Sequence, residues 1–155
     1  MTLYLLFEEL DVGRIRLDTP LRISAHAAEQ APSKLGLKPG QTIAVEDAIK
    51  AVVTKSANDV AVAIAENLAG SEEEFARAMT QKAHALGMAH TTYVNASGLP
   101  DDEQVTTARD LALLGRTIER SEGSTDSSSR PALSRTLARH ASIRPESGPD
   151  SPLLA

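Results

Sequence analysis

Lys55-Ser56-Ala57-Asn58-Asp59 places a hydroxyl and a carboxamide two residues apart, just ahead of the apolar run Val60-Ala61-Val62-Ala63-Ile64-Ala65. On a tight turn, both side chains can enter one cleft. The hydroxyl can relay a proton, while the carboxamide donates to a substrate carbonyl and accepts from a neighbouring cation. A structural reading competes with this one: Ser56 or Asn58 as a helix N-cap, its side-chain oxygen accepting backbone N–H groups at the start of the apolar run. Lys55 adjoins Ser56 but is read as pointing elsewhere, not as a catalytic lysine. Other polar residues read more plainly. His84 and His90 are too far apart for i, i+4 metal ligation on one helix, and no carboxylate is spaced to complete a site, so they are surface histidines. Asp101-Asp102-Glu103 is solvated loop charge rather than a divalent-ion site, and Asn95 with Gly98 is turn chemistry. No cofactor is expected.

The elements that must position the pair are mostly helical. Leu3, Leu6, Phe7 and Leu10 follow the spacing of an amphipathic helix that Gly13 stops. Met1 falls inside that pattern with no capping residue before it. Ile15, Leu17, Leu21 and Ile23 surround Asp18-Thr19-Pro20, which suggests short extended pieces about a turn. Residues 30–40, with Pro32, Gly36, Pro39 and Gly40, form a loop. Val45, Ala48, Ile49, Val52 and Val53 mark a second helix, entered through Glu46 and Asp47. The run at 60–65 is apolar almost all round and therefore buried. Ser71 and Glu74 form a capping box for a fourth helix presenting Phe75, Ala78, Met79, Ala83 and Leu86, closed by Gly87. Thr107 and Asp110 start a fifth, carrying Leu111, Leu114 and Ile118 on one face.

The whole chain has 155 residues, enough for one ordinary domain and too few for two. Its 41% hydrophobic and 24% charged residues are a globular composition. A net charge of −5 argues against a phosphate-backbone binder, and the absence of cysteine excludes disulfides, thiolate metal sites and a cysteine nucleophile. No apolar run has the length of a membrane span, and Met1 does not open a signal peptide. All four aromatic residues, Tyr4, Phe7, Phe75 and Tyr93, lie before residue 94. From Ser121 onward, Ser, Pro and Arg dominate and the charges cancel. Residues 121–155 are therefore read as a disordered or frame-shifted tail.

Longer stretches carry a resemblance. These are Glu29-Gln30-Ala31-Pro32-Ser33-Lys34-Leu35-Gly36, then Val53-Thr54-Lys55-Ser56-Ala57-Asn58-Asp59-Val60, then Thr91-Thr92-Tyr93-Val94-Asn95-Ala96-Ser97-Gly98-Leu99-Pro100 and Thr106-Thr107-Ala108-Arg109-Asp110. In order and spacing, the chain from Met1 to about Arg120 resembles the low-molecular-mass penicillin-binding proteins, the serine-type D-alanyl-D-alanine carboxypeptidases. The resemblance implies an α+β fold, the penicillin-recognising serine hydrolase of the β-lactamase/transpeptidase kind, of which residues 1–120 are mostly the helical subdomain. It also implies a site of three motifs: Ser-x-x-Lys, Ser-x-Asn and Lys-Thr-Gly. Ser56 and Asn58 match the middle one. By resemblance, Ser56 passes a proton to the leaving amine, and Asn58 positions the substrate amide and the lysine.

The other two motifs do not occur in these 155 residues, and Lys38-Pro39-Gly40 is no substitute for Lys-Thr-Gly. The family pattern would set the nucleophile a few residues upstream of Met1. The expectation is thus a truncated D-Ala-D-Ala carboxypeptidase, inactive by itself, because Ser56 and Asn58 assist a nucleophile without replacing it. The implied partners are peptidoglycan stem peptides ending in D-Ala-D-Ala and, for the intact enzyme, β-lactams; no nucleic acid is expected. An intact member works in the periplasm or at the outer face of the membrane, whereas the chain as written would stay in the cytoplasm. The alternative from another class is a non-catalytic helical interaction module that uses an exposed apolar face.

Overall fold

A computed structural model describes residues 1–122. The elements run α1 (Thr2–Asp11), β1 (Pro20–Arg22), α2 (Ala25–Glu29), β2 (Thr42–Ala44), α3 (Val45–Lys55), α4 (Asn58–Ala69), α5 (Glu72–Ala85) and α6 (Ala108–Glu122). Apart from Ser121 and Glu122, which continue α6, the segment read as a tail lies outside the described residues.

α4 is the centre, and α1, α2, α3, α5 and β1 all pack on it. Its residues from Asn58 to Ala65 are all buried, as expected of a run apolar on every side. Alanines at 61, 63 and 65 let neighbouring backbones approach, while Val60 and Ile64 fill the space between them. Val60 and Ile64 join Leu6, Phe7, Leu21, Val45, Ile49, Phe75 and Met79 in one core cluster. Burying each large aliphatic or aromatic side chain contributes roughly 1.5–3 kcal/mol. The helix ends at Gly70, whose φ of 85° is open to glycine and costly for other residues.

α3 starts where the sequence places it. Glu46 and Asp47 occupy its positive end, and Lys50 bridges both at 3.1 Å. Val53, read as part of the apolar face, is 55% exposed, because the packed stripe of α3 runs through Ala48, Ile49 and Val52. At α5, Ser71 Oγ accepts the Glu74 N–H at 3.2 Å, which is half of the expected capping box. The Glu74 carboxylate instead pairs with Arg77 at 3.1 Å. The carboxylate that turns back is that of Glu73, held below the usual range by its own backbone N–H and the Ser71 hydroxyl. On α6, Leu111 is 51% exposed. The buried face is set by Leu113, Leu114 and Ile118, which pack with Ala83 and Met88.

Of the extended pieces expected about Asp18-Thr19-Pro20, only Pro20–Arg22 is a strand, and its antiparallel partner is β2, which the sequence reading did not mark; Leu21 faces Ile43. Asn67 of α4 ties the pair to the core: its Oδ1 accepts the Arg22 N–H at 3.0 Å and its Nδ2 donates to Arg22 O at 2.9 Å. Between α5 and α6 the chain is irregular, with one bridge between Thr92 and Val105. The buried Asp110 fastens it, accepting the His90 N–H at 2.9 Å and the Thr91 hydroxyl at 2.8 Å. Burial raises the pKa of this carboxyl, but the bonds from Thr91, the His90 N–H and Thr107 prevail and hold it below the ordinary value.

Candidate active site

The junction of α3 and α4 is a turn of two residues. Ser56 closes α3 in the left-handed region, at φ 51° and ψ 44°, the one described residue other than glycine with positive φ. Ala57 is the N-cap of α4 and makes no side-chain cap bond. The N-cap reading of Ser56 and Asn58 is therefore set aside: Ser56 belongs to the helix before, and Asn58 is the first residue inside α4.

Both residues line a cleft of about 610 Å³. Tyr4 of α1 and Tyr93, Asn95 and Gln104 of the α5–α6 segment line it too. Ser56 is exposed, and its hydroxyl makes no hydrogen bond among the described residues, so it is available to a reacting group. Asn58 is 7% exposed and fixed: its backbone N–H donates to Ser33 O at 2.8 Å and its Nδ2 to Ala31 O at 2.9 Å. Burial pushes the phenol of Tyr4 up, with Glu8 adding and Lys82 opposing. Burial and the charge of Asp110 do the same for Tyr93. Both rings therefore present neutral hydroxyls at neutral pH.

The α5–α6 segment is held by side chains from remote parts of the sequence. Asn95 behaves as its spacing to Gly98 suggests, with Oδ1 accepting the Gly98 N–H at 2.7 Å and Nδ2 donating to Leu99 O at 2.9 Å. The Thr2 hydroxyl donates to Ala96 O at 2.6 Å, and Glu72 Oε1 accepts the Ala96 N–H at 2.9 Å. The other oxygen of Glu72 meets His26 Nε2 at 2.9 Å. His84 reaches Thr91 O at 3.1 Å, and the backbone of Glu103 donates to Asp101 Oδ1 at 2.9 Å, an ordinary Asx turn. No cluster of three or more His, Asp or Glu suited to a metal ion is found among the described residues. None of their helices is long and apolar enough to cross a membrane.

A helical cluster with a Ser-x-Asn turn beside its cleft is also found in solved penicillin-binding proteins and D-alanyl-D-alanine carboxypeptidases, whose helical parts superpose on this one. The D-alanyl-D-alanine carboxypeptidase DacD of Francisella tularensis superposes with a TM-score of 0.72 at 38% identity, over 75% of this chain and 28% of that one. Penicillin-binding protein 5 of Haemophilus influenzae does so with 0.72 at 30% identity, over 77% and 36%. The pattern of the D-alanyl-D-alanine carboxypeptidases matches residues 1–136. DacF of Bacillus subtilis, a protein of that activity by name, is 37% identical over 125 residues, covering 81% of this chain and 32% of the relative. DacC of Escherichia coli is 36% identical over 124 residues, with 76% and 31% covered.

The chain belongs to the D-alanyl-D-alanine carboxypeptidase family, a family of serine hydrolases. Its described residues form the helical part of the family's α+β fold, and the chain spans about a third of the length of these relatives.

One group near the turn has no counterpart in the sequence reading. The carboxylate of Asp59, next to Asn58, is fully buried and holds the loop at 35–37. Its adjacency to Asn58 was the only local signal, because the loop N–H groups it holds lie more than twenty residues upstream.

Proposed function

We propose that this chain supplies the helical part of a serine-type D-Ala-D-Ala carboxypeptidase acting on peptidoglycan stem peptides, and that Ser56 and Asn58 are its contribution to the catalytic site. The observation that carries the reading is that the two side chains share one cleft, one with an unengaged hydroxyl and the other with a fixed carboxamide. In the family's reaction, a serine hydroxyl attacks the carbonyl between the two D-alanines. The terminal D-alanine leaves as its amine takes up a proton, and water hydrolyses the acyl-enzyme. In this reading Ser56 passes that proton and Asn58 holds the substrate amide. The nucleophile motif Ser-x-x-Lys and the strand motif Lys-Thr-Gly are not among these 155 residues, so the chain alone is expected not to hydrolyse substrate.

The reading places the work where peptidoglycan lies, in the periplasm or at the outer face of the membrane. β-Lactams are further ligands of the complete site. A similar protein, penicillin-binding protein D2 of Listeria monocytogenes, was solved in an ampicillin-bound form, with a TM-score of 0.59 and 30% identity.

The test is a hybrid in which residues 1–122 replace the matching segment of E. coli DacC. A folded hybrid is expected to release D-alanine from a peptide ending in D-Ala-D-Ala and to be acylated by ampicillin. A hybrid that melts cooperatively but does neither would overturn the reading.

A further inference from the structure

The carboxylate of Asp59 does not line the cleft, yet it is fully buried. A buried carboxylate is costly unless its lone pairs are filled. Here Oδ1 accepts the N–H of Leu35 at 3.0 Å, and Oδ2 accepts those of Gly36 at 2.9 Å and Leu37 at 3.3 Å. The Val60 N–H adds a fourth bond at 2.9 Å.

The stretch 31–37 has no helix or strand of its own. Besides Asp59, its side-chain tie to the preceding segment is Lys34 Nζ on Ala28 O at 2.9 Å. The same stretch grips the catalytic turn at both ends. Ser33 Oγ donates to Lys55 O at 2.8 Å, Ser33 O accepts the Asn58 N–H at 2.8 Å, and Ala31 O accepts Asn58 Nδ2 at 2.9 Å. A carbonyl oxygen can only accept, so Ala31 decides which end of the Asn58 carboxamide faces it. Nδ2 turns to the loop, leaving Oδ1 and the second N–H for the cleft.

We infer that Asp59 is a positioning residue, which through the 31–37 stretch sets the orientation of the Asn58 carboxamide and the course of the Ser56–Asn58 turn. The inference rests on the proposed role of Asn58. Its test reads side-chain placement rather than turnover, so either claim can fail while the other stands.

The experiment uses the ¹⁵N-labelled 155-residue chain, unsubstituted and with Asp59→Asn. In Asp59→Asn the amides of Leu35, Gly36 and Leu37 are expected to exchange about tenfold faster. The side-chain NH₂ pair of Asn58 shifts and loses its slow exchange, while the amides of Val62 to Ala65 keep theirs. A folded Asp59→Asn variant with the Asn58 pair unchanged overturns the inference. So does equal acceleration along the whole of α4, which would make Asp59 a general stabiliser. If Asp59→Asn does not fold, amide exchange of the unsubstituted chain in rising urea decides: an Asn58 side-chain pair that opens together with the amides of Leu35, Gly36 and Leu37 supports the inference, and one that opens only with the amides of Val62 to Ala65 overturns it.

Discussion

A serine in the left-handed region holds its hydroxyl beside the cleft at a cost of roughly 1–2 kcal/mol. Ser56→Gly removes that strain and part of the gain is lost to backbone entropy. The variant is expected to be more stable by about 0.5–1 kcal/mol in urea unfolding. Ser56→Ala keeps the strain and gains nothing. Equal stability of the two would show that the turn is not strained. The pair His26–Glu72 gives a pH signature. The hydrogen bond to Glu72 raises the pKa of His26 above its ordinary 6.5, burial opposes this, and the charges of Glu72, Glu66 and Glu73 add to it. The stabilisation is therefore complete below pH 6.5 and lost as pH rises through the higher folded value. With the His26 side chain 58% exposed, the effect stays within about 1 kcal/mol. The urea midpoint should fall slightly as pH rises from below 6.5 into the alkaline range, and this component should vanish in His26→Gln. That Ser56 and Asn58 could share one cleft was legible because they sit within three residues. Asp59 was not, because a carboxylate serving a loop more than twenty residues upstream leaves no periodic trace.

At the scale of elements, α1, α2, α3, α5 and β1 are set by their packing on α4, whose Asn58 end carries the candidate site and whose Ala69 end the cap. Ile64, fully buried in the main cluster, is the point of greatest leverage. Ile64→Ala should cost about 2–5 kcal/mol, read as a loss of urea midpoint, and a cost below about 1 kcal/mol would mean that the core around α4 is looser than the packing indicates. The longer helices were readable from their 3.6-residue periodicity. β1 and β2, each three residues long, and the five-residue α2 are too short to show any period, and they owe their form to Asn67, Ser24 and the loop around them. On α6 the spacing of Leu111, Leu114 and Ile118 was right for a helix and wrong by part of a turn for its buried face. Contact of Leu113 and Leu114 with the Met88 cluster fixed the rotation, a tertiary choice that no local pattern encodes.

At the scale of the molecule, the helices and the cleft form a connected scaffold, and the family assignment is the ground for the role proposed for it. Scaffold and site divide their work. The core fixes α3 and α4, the 31–37 and 95–98 segments fix the walls, and Ser56 and Asn58 face the space between. An interaction module would need the core and the apolar walls but would be indifferent to the Ser56 hydroxyl. The most direct measurement of the central claim is therefore kcat for D-alanine release by the DacC hybrid with and without Ser56→Ala. A proton-relay role predicts a fall of about 10²- to 10⁴-fold with the thermal melt preserved. A folded Ser56→Ala hybrid that retains its full kcat would contradict the account.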